Sequence, residues 1–413
     1  MKTHCTPSVG KMEALLGADP LTEALRGKVR EMILTLVEGE LAEVLAALPY
    51  ERTGQRCGYR HGSKARSLTT GLGAVAIEMP RARLIRAGQE QEWQSHLIRR
   101  YERRCASVDA ALLGTYLSGA NQRRLKGALS PLLRGAGLSK SAISRLVGRL
   151  QSLFDDWRKR SVKEERVVYL YLDAIALRVR IARKVVSVPV LVALGVRPDG
   201  HKVVLDLELL ASESTESWAG FVQGLLDRGL RRPRLVVIDG HKGLRAAVEQ
   251  SWPGISVQRC TVHKLRNLER YVPRHALEEV RTDYHRIIQA DSLKAAQAAY
   301  TQFMTKWEKM APKVAASLAE AGQELLTFYQ FPKTQWKSLR TTNAIERLNG
   351  EFRRRVKTQG SLPSAQAAEL LLFGLLMTEQ IHMRRIDGWR DLAQVDQEPA
   401  AIDARIVAQP KAA

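Results

Sequence analysis

Cysteine is scarce in this chain: there are four in 413 residues (Cys5, Cys57, Cys105 and Cys260), widely spaced. That spacing excludes a disulfide framework and suits a reducing compartment. Long apolar runs are missing too. The longest, at residues 370–373 and 374–377, fall far short of the roughly 20 residues a membrane-spanning helix needs. The opening Met-Lys-Thr-His-Cys-Thr-Pro lacks the charged-then-apolar pattern of an export signal. We therefore expect a soluble protein of the cytoplasm with no membrane partner. Negative charge is the last shortage, with 43 Asp and Glu against 65 Lys and Arg, a formal charge of +22. Such an excess favours a polyanionic partner, because each neutralised phosphate releases condensed counterions.

What is present reads as two or three domains of ordinary apolar content, 45%. Residues from about 20 to 50 carry Ile33, Leu36, Val37, Leu41, Val44 and Leu45 at helical spacing. An Arg- and Gly-rich loop is expected at 52–66 and a small hairpin at 69–79, turning on Gly-Leu-Gly. Arg81, Arg83, Arg86, Arg99, Arg100, Arg103 and Arg104 then crowd one segment, either as a solvated face or as a DNA-facing surface. Residues 127–150 have the layout of a helix-turn-helix. Ser139 would cap the second helix and Lys140, Ser141, Ser144 and Arg145 would face the major groove, although any polar helical hairpin gives a similar string.

After Trp157 the texture changes to β-branched and apolar runs at 167–172, 185–196, 202–210 and 235–238. Arg197-Pro-Asp-Gly200 is a hairpin turn, and Pro189 argues for an edge position or a bulge. A helix at 217–230, a helix at 241–250 and a strand at 256–262 complete the series. Three meandering strands followed by helix, strand, helix, strand is the element order of an RNase H-like fold, in which the first strand lies beside the fourth. The 79 residues from Lys264 to Thr342 are Ala-, Leu- and Gln-rich and read as a helical insertion. The expected organisation is a mainly helical DNA-binding region at 1–160, an α/β RNase H-like core at 161–263 and 343–396, an all-helical insertion at 264–342, and a disordered tail at 397–413.

Three carboxylates stand out. Asp173 ends the run Val-Val-Tyr-Leu-Tyr-Leu, Asp239 ends Leu-Val-Val-Ile, and Glu346 begins a basic helix whose apolar stripe is Ile345, Leu348, Phe352 and Val356. Mg²⁺ is a hard cation that takes oxygen ligands, and a two-metal site that cleaves phosphodiesters needs such a set. Each has a bland alternative. Asp239-Gly240 could cap a helix, and Asn343 with Glu346 has the spacing of a capping box. Arg347, Arg353 and Lys357 would continue along a phosphate backbone. Asp206 and Glu208 alternate on an expected edge strand facing solvent, and Glu213 and Glu216 flank a helix start. Cys260-Thr-Val-His263 supplies two zinc ligands of four; Cys57 and His61 could complete the set only if the fold brought them there, and the alternative is a buried Cys with His263 near the site.

Several blocks then converge on one family. Leu172-Asp173-Ala174, Gly195-Val-Arg-Pro-Asp-Gly200, Glu216-Ser-Trp218, Asp239-Gly-His-Lys-Gly243, Gln258-Arg-Cys-Thr-Val-His-Lys-Leu-Arg-Asn267 and Leu339-Arg-Thr-Thr-Asn-Ala-Ile-Glu-Arg-Leu-Asn-Gly350 resemble the Mutator-type transposases of bacterial insertion sequences. The resemblance implies a DDE transposase with an N-terminal region binding terminal inverted repeats, and Asp173, Asp239 and Glu346 as its Mg²⁺ ligands. Cys260 and His263 carry over as a motif pair near the site. The expected partners are double-stranded DNA at element ends and target, and a second or further copy of the chain on that DNA. Mn²⁺ is the expected substitute for Mg²⁺. A structure-specific nuclease and an inactive DNA-binding regulator are the competing readings.

Overall fold

The computed structural model describes residues 19–86, 88–117, 140–357, 360–378 and 381–397. The helix-turn-helix reading therefore lies outside the described residues up to 139, as does the tail beyond 397. The chain divides into two compact units, Met1–Arg149 and Leu150–Ala413.

In the first unit, helix α1 (Pro20–Leu45) opens on Asp19, whose carboxylate accepts the Thr22 N–H, with Pro20 in the first turn where no donor is missed. It buries Val37, Leu41 and Leu45 against an antiparallel sheet of β1 (Gly58–Thr70), β2 (Gly73–Arg86) and β3 (Gln89–Glu92). Strand β2 alternates, sending Val75, Ile77, Met79, Ala82 and Leu84 inward to meet Trp93 and Ile98. Among the described residues the sheet is longer than the small hairpin expected at 69–79. Residues 58–66, read as loop, are strand: they have no apolar alternation to betray them, while the backbone pairs with β2 from Gly58–Leu84 to Thr70–Gly73. Helix α2 (Ala106–Leu117) follows, and α3 (Lys140–Lys159) leads into the second unit.

The second unit is mixed α/β. Strands β4 (Tyr169–Ile181), β5 (Lys184–Val196) and β6 (Lys202–Leu209) form an antiparallel meander, and β7 (Leu235–Ile238) and β8 (Val257–Arg259) extend it in parallel, in the order β6-β5-β4-β7-β8. The β5–β6 turn closes with Gly200 N–H on Arg197 O at 2.8 Å. Pro189 lies one residue beyond the last β5–β6 pair, Val190–Leu209, so its missing donor faces no strand there. One sheet face carries Leu170, Leu172, Leu191, Ala193, Val236 and Ile238 and packs on α4 (Thr215–Asp227) and α5 (Lys242–Ser251) through Trp218, Phe221, Leu244 and Val248. The other face meets α11 (Asn343–Lys357) and α12 (Ala365–Met377). Between β8 and α11 the regular elements among the described residues are helical: α6 (Thr261–Glu269), α7 (Leu277–Ile288), α8 (Leu293–Met310), α9 (Pro312–Ala321), the single-turn α10 (Trp336–Leu339), and 3₁₀ turns. No helix of the described residues is long and apolar enough to cross a membrane.

Asp206 departs from expectation. It lies on the edge strand β6 but is buried, its Oδ2 2.7 Å from Arg228 Nη2 and its Oδ1 3.7 Å from Arg158 Nε. Period-two alternation assigned it to solvent; two arginines reaching across the sheet edge fold over it instead. Glu208 is partly buried, and Arg158 pairs with it at 2.8 Å. Removing one partner of a buried pair strands the other charge. Arg228→Ala should therefore lower the unfolding free energy by about 3 kcal/mol in urea melts, and Asp206→Val added to Arg228→Met should recover most of the loss.

Candidate functional site: carboxylates at the centre of the second sheet

Strand register brings the first two carboxylates together. Leu172 pairs with Ile238 across the parallel β4–β7 ladder, and both side chains belong to the face packed on α4 and α5. The next residues, Asp173 and Asp239, consequently start at the same level and alternate to the α11 face. Asp173 does not end its strand: Ala174 to Ile181 continue it opposite β5, with Asp173 facing Val192. What ends at Leu172 is the ladder to β7. Past β7 the chain turns through Gly240 at φ +107°, where a Cβ would fall 2.4 Å from Arg259 Nη2. The same Nη2 donates to Gly240 O (3.2 Å) and to Glu320 (3.1 Å), and Glu320 also holds buried Lys264 at 2.7 Å. Within this braced turn Asp239 Oδ1 accepts the His241 N–H at 2.8 Å.

The third carboxylate arrives through two short tethers. Thr261, first residue of α6, donates from both N and Oγ1 to Arg340 O at 2.9 Å each. That fixes the approach to α11, and Thr342 N–H lands on Cys260 Sγ at 3.3 Å. The Thr342 hydroxyl oxygen lies 3.2 Å from Cys260 Sγ, 3.4 Å from His263 Nδ1 and 3.1 Å from Glu346 Oε1. His263 Nε2 stands 3.4 Å from the same Glu346 oxygen. The capping box that was the alternative reading of Asn343 and Glu346 does not form. Asn343 is already helical, Thr342 O accepts the Ile345 and Glu346 N–H groups, and the Glu346 carboxylate takes the Thr342 hydroxyl rather than the Asn343 N–H.

Charge is strongly conflicted here. Asp173 is only 8% exposed, and burial first, then the charges of Asp239 and Glu346, push its carboxyl up to about 7. His263 opposes that shift. Its own pKa rises to about 9 through the hydrogen bond to Cys260 and the nearby negative groups, so the ring is an imidazolium at neutral pH. Burial pushes the Cys260 thiol up, but hydrogen bonds to His263 and Thr342 outweigh it and bring the group below its ordinary value. Asn349 Nδ2 donates to Asp173 Oδ2 at 2.8 Å; this residue is 1% exposed, and its Oδ1 has no partner.

Not every candidate gathers at one point. Cys260, His263 and Glu346 present ligand atoms all within 4.8 Å of one another, and Asp173 and Asp239 fall outside that group. The Cys–His pair meets Glu346, while Cys57 and His61 belong to the other unit. Arg347, Arg353 and Lys357 are exposed along α11. Ser144 and Arg145 are exposed in the first unit, and the Lys140 and Ser141 side chains lie outside the described residues. Glu213, taken from sequence for a helix-start anion, is 3.9 Å from His241 Nδ1; burial raises its pKa, and the Asp239 charge adds to the rise. Asn349 and Thr342 were missed. The available signal was a polar residue on the apolar stripe of α11, where Asn349 follows Ile345 by four. The donor set suits a hard divalent ion: three carboxylates whose mutual repulsion a cation would relieve, with an unpartnered amide oxygen beside Asp173.

Comparison with known proteins agrees on the class. The sequence profile described as "Transposase, Mutator family" matches residues 3–384. Among curated proteins, the chain is 33% identical to the transposase of insertion sequence element ISRM5 from Rhizobium meliloti, over 91% of this chain and 92% of that one. It is 32% identical to the transposase of IS1081 from Mycobacterium tuberculosis (91% and 89% covered) and 30% identical to that of IS256 in transposon Tn4001 from Staphylococcus aureus (86% and 90%). The chain belongs to the Mutator family of transposases. Membership makes it an enzyme of DNA transposition and points to a need for a divalent metal. A solved structure, the Drosophila P element transposase strand transfer complex, aligns over 74% of this chain and 85% of its own at 11% identity and a TM-score of 0.26, too loose a likeness to bear on the fold.

The Asp173 shift has a measurable consequence. With a folded pKa near 7 and an unfolded value of about 4, ionisation opposes folding in metal-free protein. Its contribution is whole below the unfolded value and is lost as pH rises through the folded one. Asp173→Asn should gain stability over the parent by about 2 kcal/mol between pH 5 and pH 8, read by urea denaturation in EDTA. A pH-independent difference would mean an unshifted Asp173.

Proposed function

We propose that this chain is a DDE transposase of an insertion sequence. Its first unit engages the terminal inverted repeats of double-stranded DNA, and its second is an RNase H-like core interrupted by a helical insertion. Asp173, Asp239 and Glu346 hold Mg²⁺, with Mn²⁺ as substitute, for strand cleavage and then strand transfer, and the chain works on DNA as a homodimer or higher homo-oligomer. The observation that carries the reading is electrostatic: a buried Asp173 that feels both Asp239 and Glu346 from separate elements of one sheet-and-helix layer. Strand order supports the core assignment, since the first strand of the meander lies between the second and the fourth.

Bound there, two Mg²⁺ ions would supply the positive charge that favours a water-derived and then a 3′-OH nucleophile and takes up charge on the leaving oxygen. The side chains prepare that arrangement. Asn349 holds Asp173 in one orientation through its amide N–H, which Oδ2 accepts at 2.8 Å. The His241 N–H does the same for Asp239. His263 and Thr342 aim Glu346 through contacts of 3.4 Å and 3.1 Å to the same carboxylate oxygen. Arg347, Arg353 and Lys357, exposed on the Glu346 helix, face the phosphate backbone and draw the polyanion against the site.

On a duplex bearing candidate element ends with Mg²⁺ and a target plasmid, Asp173→Ala, Asp239→Ala and Glu346→Ala should each slow cleavage by about a thousand-fold. End binding, measured separately, should stay within a few-fold of the parent. Full cleavage by Asp173→Ala would remove the triad from the mechanism, and failure to footprint inverted repeats would favour a structure-specific nuclease.

A further inference from the structure

The first unit contains a cleft of about 660 Å³, lined by β1, the middle of β2 and the segment from Glu92 to Arg103. Its walls carry Lys64, Arg66, Arg81, Arg100 and Arg103 against a single acid, Glu92. Glu92 is taken by Arg81 at 2.9 Å. Lys64, Arg100 and Arg103 are exposed; Arg100 also acts on Glu92 through its charge, so one acid faces five cations and positive charge at the mouth is in excess. The floor is apolar, with Met79 and Ile98 buried, and Trp93 is 7% exposed with its indole Nε1 lacking a hydrogen-bond partner.

One wall is a turn built to display an aromatic ring. Arg66 Nη2 donates to Arg99 O (3.0 Å) and Glu102 O (2.7 Å), and Glu102 Oε2 accepts the Arg99 N–H at 3.1 Å. Thr69 N–H on Arg103 O (2.8 Å) and Cys105 N–H on Thr69 O (3.0 Å) pin the far side to β1. Within this clamp Tyr101 is held at φ +70°, a backbone region that a tyrosine rarely adopts, and the residue is 77% exposed. The Arg100 guanidinium lies 5.3 Å from the ring centroid. Burying the ring would be the ordinary outcome for a tyrosine beside an apolar floor; here the bracing holds it out.

We propose that this cleft is a second DNA-contacting element, independent of any helix-turn-helix, that takes a strand carrying an unstacked base. Phosphates meet Lys64, Arg100 and Arg103, and the base stacks on Tyr101. An intact duplex offers backbone charge but no free base face, so the exposed aromatic among cations selects single-stranded or frayed DNA. The inference rests on DNA being the partner and is independent of the carboxylates.

The test uses the full chain in EDTA, with fluorescence anisotropy on labelled oligothymidylate and on a duplex of equal length across a salt series. Tyr101→Ala should weaken oligothymidylate binding roughly five- to a hundred-fold and leave duplex binding within about threefold, and Tyr101→Phe should bind like the parent. The combined Lys64→Ala, Arg100→Ala and Arg103→Ala variant should reduce the log–log salt slope for oligothymidylate by about 2. Unchanged affinity in Tyr101→Ala, or an equal loss on duplex, would overturn the proposal. So would an unchanged salt slope in the triple variant together with lost binding to phosphatidylserine vesicles, which would assign the cleft to anionic membrane. Because binding is read without metal, loss of oligothymidylate binding by Tyr101→Ala alongside undiminished cleavage by Asp173→Ala in the separate Mg²⁺ assay would keep the cleft and discard the triad.

Discussion

A carboxylate enclosed between a sheet and a helix, with two further carboxylates close enough to feel, raises its own free energy of ionisation. Asp173 is in that position, and the surroundings of the site read as responses to it. His263 supplies a positive charge. Asn349 supplies a neutral donor from the buried stripe of α11. Asp239 and Glu346 find their own donors in the His241 N–H and the Thr342 hydroxyl, so the three acids are spread over separate partners instead of collapsing on one. An arrangement of this kind is uncomfortable without a cation, and a site that gains by binding one is pre-organised for it.

Holding the acids together requires rigid elements arriving from distant parts of the chain. The β4–β7 register handles two of them, and Gly240 with Arg259 keeps the second strand end from splaying. The third depends on a run of contacts across residues 258–342. Gln258 donates to Leu325 O at 3.0 Å and accepts the Phe328 N–H at 2.8 Å, and Thr261 anchors Arg340. The helices between β8 and α11 therefore serve a positional role: they return the chain to the sheet with Thr342 seated on Cys260. Cys260 and His263 lie one helical turn apart at the start of α6, and so bridge the edge of the sheet to the helix that carries Glu346.

Much of this was visible as local pattern. Residues 167–172 and 235–238 are unbroken apolar runs, and from Tyr169 to Leu172 and Leu235 to Ile238 they form strands buried on both faces, as such runs do. Ile345, Leu348, Phe352 and Val356 keep helical period and are all buried. Features depending on partners far away were illegible. Residues 58–66 carry no apolar alternation, so only cross-strand pairing reveals the strand. Asp206 sits where alternation predicts exposure, yet two arginines cover it. Asn349 looks like an ordinary polar helix residue until β4 is laid against it.

The sequence alone determined the chemical inventory and the periodicities: a basic surplus, three acids set against apolar runs, a Cys–His pair at helical spacing, and a family's blocks in order. These are local properties, written in side-chain type and spacing. The tertiary structure decided which groups share an environment, because burial, register and opposing charge exist only once elements from residues 173, 239, 263 and 346 face one another. Asp173 shows the division plainly. Its identity is read from the chain, but its pKa of about 7 comes first from burial in the fold and then from charges 66 or more positions away.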